Sequence, residues 1–185
     1  MDSIARLVAE HDLIRRTLDA FERCVASLQT SPTPDAVRAD LASFVSFFRE
    51  FAEHEHHAKE ESVLFAAVTD AHLPDNDEVV KSLLSEHETG RRYLLRLNEL
   101  VSRQGSWSAD HVQDAIREAR SYALFMRSHI REEDGILFPL VQRCLPPALL
   151  TQLGHGLDRF EASPERRQAR DRLYALSDAL TRKYA

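Results

Sequence analysis

Two stretches decide the fold of this chain: His56-His57-Ala58-Lys59-Glu60-Glu61-Ser62-Val63-Leu64-Phe65 and His129-Ile130-Arg131-Glu132-Glu133-Asp134-Gly135-Ile136-Leu137-Phe138. In each, a His stands four residues before a Glu, and a Leu-Phe pair follows at the same offset. Residues four apart on a helix are neighbours on one face. His56 with Glu60, and His129 with Glu133, can therefore each present an imidazole and a carboxylate to one point. At about 100° per residue, Val45, Ala52 and Val63 fall on the face of His56, while Phe125 and Ile136 flank His129. Carboxylates on such apolar faces are costly to bury unless something binds them. HHAKEE also contains a second register, His57 with Glu61. Aligning Leu64-Phe65 on Leu137-Phe138 favours His56 and Glu60, which turns His57 about 100° and His54 about 160° away from that line, toward solvent.

Working outward, two further segments carry a matching pattern: Glu10-His11-x3-Arg15-Arg16 and Glu86-His87-x3-Arg91-Arg92. Leu7, Ile4 and Leu18 flank His11, and Leu83, Val80 and Leu94 flank His87. The order is His, His-x3-Glu, His, His-x3-Glu, with 45 residues from His11 to His56 and 42 from His87 to His129. It reads as two copies of one helical hairpin. Ser3 caps a helix to about residue 27, and TSPTP at 30–34 breaks the chain. A second helix runs from about 34 to 67, a third from about 76 to 103, and a fourth from its cap at Ser108 to about Phe138, where Pro139 ends or kinks it. Four long helices with short connections predict an all-α, up-down-up-down antiparallel four-helix bundle over residues 1–142. Two shorter helices, about 146–160 and 163–184, form a C-terminal extension over 143–185. It packs back through Leu149, Leu150, Leu153, Leu157 and Phe160, because some 40 residues bury too little to fold alone.

Composition agrees. The 185 residues include only five Gly and seven Pro, too few for sandwiches, barrels or glycine-rich nucleotide-binding loops. The net charge of −6 is interspersed, so no basic stripe points to nucleic acid. No run approaches the length of a membrane span or a signal peptide. Cys24 and Cys144 lack metal or redox spacing and read as reduced thiols, so the expected location is cytoplasmic.

Nine histidines are the unusual count. Four of them, His11, His56, His87 and His129, lie at similar depths from one end of the expected bundle, about 12–17 Å at 1.5 Å per residue. With Glu60 and Glu133 they form a donor set of imidazoles and carboxylates suited to a pair of iron or manganese ions, a Glu between two ions being able to bridge them. Six ligands shared by two metals leave positions open for oxo, hydroxo, dioxygen or other small ligands. His72, His111 and His155 sit in or beside connectors or in the extension and receive no role. Whether Glu53, Tyr122 or His57 joins the site stays open, and Arg15 and Arg91 are expected to reach outward.

The pieces EHDLIRR, HHAKEESVLF, EHETGRR and HIREEDGILFP resemble the hemerythrin-like, or HHE cation-binding, family over about residues 1 to 140. That resemblance implies a carboxylate-bridged, non-haem di-iron centre that meets dioxygen, peroxide or nitric oxide. Its ligands would be His11, His56, His87 and His129, with Glu60 and Glu133 bridging. Two departures stand out. Oxygen-carrying members place a second His four residues along the third helix, where this chain has Leu83 and Arg91, so one iron should be more open or use another ligand. The first LFP motif reads Leu64-Phe65-Ala66. The resemblance implies binding or turnover of small oxygen or nitrogen species, with peroxide or nitric oxide consumption as the enzymatic form. The alternative is iron sensing, storage, delivery or iron-centre repair.

Overall fold

A computed structural model describes residues 3–30, 34–71 and 76–185, and these are helical with no strand among them. Helix α1 spans Ser3–Leu28 and α2 spans Pro34–Phe47. The second rod continues without a break through π-helical turns at Phe48–His57 and Glu60–Phe65 into α3, Ala66–Asp70. Helix α4 is Asn76–Val101 and α5 is Ala109–Glu132. The fourth rod likewise passes through a π-helical turn, Glu133–Leu137, into α6, Phe138–Cys144. Helices α7 (Pro147–Glu161) and α8 (Pro164–Lys183) follow.

Local chemistry explains the punctuation. Ser108 and Ser163 cap α5 and α8 by accepting from the backbone N–H groups of His111 and Arg166. Gly105 turns the chain between α4 and α5 at φ 81°, a left-handed conformation that costs Gly little. Arg38 donates to the Val101 and Gly105 carbonyls there, at 2.9 and 2.8 Å. The fourth rod continues through the π-helical turn at Glu133–Leu137 and past Pro139, where the sequence suggested an end or a kink. The widened turn before it already departs from the i→i−4 ladder, so a residue without an N–H is accommodated.

Four rods pack α1 against α2 and α5, and α4 against α5 and α2, as the bundle reading requires. The apolar interior forms two clusters. The larger runs from Leu13, Ile14 and Phe21 through Phe44, Phe48 and Phe51 to Leu97, Tyr122 and Ile130. The smaller gathers Ile4, Leu7, Leu64, Phe65, Leu83, Leu137, Phe138 and Leu153 near one end. His11, His56, His87 and His129 lie in sequence between members of the two, as a polar layer between apolar floors. From the last two helices, Leu153 joins the smaller cluster and Leu173 and Leu180 the larger. Cys24 and Cys144 are unpaired thiols, the first buried. No helix among the described residues is long and apolar enough to cross a membrane.

Candidate metal centre

All six residues singled out from sequence converge. His11, His56, His87, Glu60 and Glu133 have no exposed surface, and His129 is 1% exposed. Together with His57, a seventh residue, they offer ligand atoms in two groups, each lying within 4.8 Å: His11, His56, Glu60 and Glu133 in one, and His57, His87 and His129 in the other. The carboxylates face both. Glu60 sets Oε1 3.5 Å from His56 Nε2 and Oε2 3.8 Å from His87 Nε2. Glu133 lies 3.1 Å from His11 Nε2, 3.4 Å from His129 Nε2 and, through its other oxygen, 3.8 Å from His87 Nε2.

His57 corrects the sequence reading. It is 1% exposed, not solvated, and its ring stacks on His87 with centroids 3.9 Å apart and planes 7° from parallel. The reason is the backbone. Phe48–His57 is π-helical, and a turn closed by i→i+5 bonds advances each residue by less than the 100° of an α-helix. Adjacent His56 and His57 thus straddle the inward direction, one facing each group. The same widening at Glu133–Leu137 turns Ile136 outward, to 53% exposure, where the α-helical count had it flanking His129. The signal that could have found His57 was the missing His near His87 beside an adjacent His-His doublet.

Four rings are held from behind by carboxylates. Nδ1 of His11 donates to Asp134 (2.8 Å), that of His56 to Glu10 (2.8 Å), that of His87 to Glu61 (2.8 Å) and that of His129 to Glu86 (2.7 Å). The pattern follows the internal repeat, since Glu10 matches Glu86 and Glu61 matches Asp134. A hydrogen bond to Nδ1 fixes the tautomer and turns a bare Nε2 toward the interior. Arg15 and Arg91 do not simply reach outward: each pairs with the carboxylate behind a ring, Asp134 and Glu61 respectively.

The interior atoms are left without aligned hydrogen bonds among the protein groups: Nε2 of His11, His56, His87 and His129, both nitrogens of His57, and all four oxygens of Glu60 and Glu133. So many orphaned buried ligand atoms converging on one space fit bound cations, whereas the other unpartnered buried atoms, among them Trp107 Nε1 and Tyr122 Oη, do not join either group. Electrostatics agree. Burial pushes Glu60 well above the ordinary carboxylate range, and the charge of Glu133 adds to it. Burial opposes ionisation of Glu133 too, but His129, His11 and His87 hold it well below that range. Burial disfavours His11⁺, yet the hydrogen bond to Asp134 and the adjacent carboxylates of Glu133 and Asp134 raise its pKa to about 8. Burial drives His56 down to about 4 against the pull of Glu10, and His57 falls well below its ordinary value through burial and the neighbouring rings.

Other residues separate cleanly. His54 and His155 are exposed, His111 is half-buried at the start of α5, and His72 lies outside the described residues. Tyr122 is fully buried among Phe21, Phe48 and Tyr93, its hydroxyl without a protein partner. Glu53, 6% exposed, lies 3.2 Å from His57 Nδ1 and 3.3 Å from Arg91 Nε. It also lines a cleft of about 320 Å³ with Arg49, Arg91 and Leu94. A comparison with curated proteins finds no match. Against models of protein families, the hemerythrin HHE cation-binding domain matches residues 2–141.

Proposed function

The chain belongs to the hemerythrin HHE cation-binding domain family, and on that premise we propose that it holds two iron ions and binds or reacts with dioxygen, peroxide or nitric oxide. One ion would take His57, His87 and His129, the other His11 and His56, with Glu60 and Glu133 bridging. The observation that carries this reading is the split of five buried imidazoles into three and two around carboxylates that face both groups. Imidazole and carboxylate together suit iron better than a thiolate-seeking or an all-oxygen ion. A pair of irons held by these residues would supply redox capacity and a place for a small ligand.

The chain's own residues prepare the site. Asp134, Glu10, Glu61 and Glu86 set the tautomer of four rings, so each presents Nε2 without rearrangement. Phe138 stacks on His11, Phe65 on His87 and Phe125 on His129, which keeps bulk water from the space between the rings. His11, raised to about 8, holds a proton near pH 7 that metal binding must displace, and burial with the charge of Glu133 biases Glu60 the same way. The test is anaerobic loading with ferrous iron, counting metal per chain, then exposure to oxygen, peroxide or nitric oxide with absorption spectra. Two irons per chain and a small-molecule-dependent band are expected. Fewer than about two irons per chain would overturn the reading.

A further inference from the structure

The internal repeat makes one difference between the halves stand out. The position of Lys59 corresponds to Glu132 in the second hairpin. Lys59 is fully buried and ion-paired with Glu10, the carboxylate behind His56, and with Glu161 of α7 at 2.7 Å. Arg170 of α8 completes the group, 2.7 Å from Glu161 and 3.6 Å from Glu10. Lys59 and Arg170 thus face Glu10 and Glu161 in the charge pairing that a buried lysine requires, and Arg6 of α1 also lies 3.7 Å from Glu161. On the other side Glu86, behind His129, is 28% exposed. The extension is seated where this cluster is: α8 packs on α1 and α2, and α7 on α1 and the Glu60–Phe65 turn. Gly156 of α7 lies so close that an added Cβ would come within 2.6 Å of Val63.

A carboxylate behind a ligating imidazole sharpens its orientation and raises its basicity, and a cation on that carboxylate draws part of this away. We propose that α7 and α8 are a positioning element for one of the two metal positions: Glu161 and Arg170 lock Lys59 onto Glu10, and Glu10 sets the ring of His56. The extension is then part of the metal centre's tuning, and it acts on the two-His position. This inference rests on the two-metal reading above.

Titration of the metal-free full chain with cobalt(II), followed by its d–d absorption, tests it. The wild type should take two equivalents. Glu161→Gln leaves the charges of Lys59 and Arg170 on Glu10 alone, which draws its support from His56. One equivalent should then bind at wild-type affinity and the other up to about 10-fold more weakly, the low end of the range for loss of a group that touches a ligand. Glu86→Gln, behind His129, should weaken the opposite position, so that the ion surviving in each variant has a different spectrum. Both ions bound as in the wild type by Glu161→Gln, or both weakened equally, would overturn the inference. A wild type that never takes two equivalents would overturn the two-metal reading instead. Should Glu161→Gln fail to fold, Arg170→Gln, which takes a cation off Glu10 and leaves Lys59 with both its carboxylates, should change the affinity of that same position alone, and no change there or an equal change at both would overturn the inference.

Discussion

Replacing His57 by Leu should move stability and metal affinity in opposite directions. His57 is 1% exposed, neither ring nitrogen makes an aligned hydrogen bond, and Glu53 offers only a 3.2 Å contact to Nδ1. An unsatisfied buried polar atom costs about 1–3 kcal/mol. Leucine of similar size removes that cost but forfeits the stack on His87, worth about 1 kcal/mol. The metal-free variant should therefore gain about 1 kcal/mol, or roughly 2–4 °C in Tm for a chain of this length. With metal the order reverses, because one group drops from three imidazoles to two, and its affinity should fall by more than the roughly 100-fold that a missing supporting carboxylate can cost. Calorimetry in chelator and with saturating iron, beside a binding titration, reads both effects. A metal-free Tm that falls, or two ions bound at wild-type affinity, would refute the assignment of His57 to the centre.

Other expectations follow from the same geometry. Burial favours neutral Glu10, but the His56 hydrogen bond and the charges of His56 and Lys59 hold its pKa at about 2, below the ordinary 4.5. The metal-free protein therefore has about 3 kcal/mol that is present above pH 4.5 and is lost as pH falls toward 2. Glu10→Gln should flatten that acid limb in chemical denaturation across pH. Glu53 is shifted the other way, raised to about 7 chiefly by burial, so its cost appears as pH rises from 4.5 through 7. Glu53→Gln should be more stable than the wild type at pH 8, and equal or lower stability there would contradict this. Since His11 titrates at about 8 when metal-free, metal uptake near pH 7 should release its proton and tighten up to pH 8, as measured by titration in buffers of different ionisation enthalpy. Gly156→Ala should cost about 1–3 kcal/mol by forcing α7 off Val63, while Gly154→Ala, whose Cβ would sit 3.1 Å from Ser3 Oγ, should cost less.

The four-helix reading was legible because it rests on periodicity and punctuation, which are local. Few glycines, capping serines at 108 and 163 and apolar stripes around His11 and His87 act over one or two turns. The convergence of His11, His56, His87, His129, Glu60 and Glu133 was legible too, since a repeated ligand spacing on helices of known rise sets both depth and face. What failed were inferences that assumed a uniform 100° advance. His57 and Ile136 were turned the wrong way by that assumption.

The sequence by itself determined the helices, their repeat and six of the residues that meet in the interior, because hydrophobic spacing and ligand spacing share the helical period. Only the tertiary structure decided where the period changes, since a π-helical turn is held by what packs around it and has no composition of its own. It also decided which carboxylate stands behind which ring: Glu10 lies 46 positions from His56, and Asp134 lies 123 from His11. The placement of a C-terminal glutamate beside buried Lys59 is likewise invisible along the chain. Partners so far apart are chosen by packing and charge balance in three dimensions, and no local pattern records them.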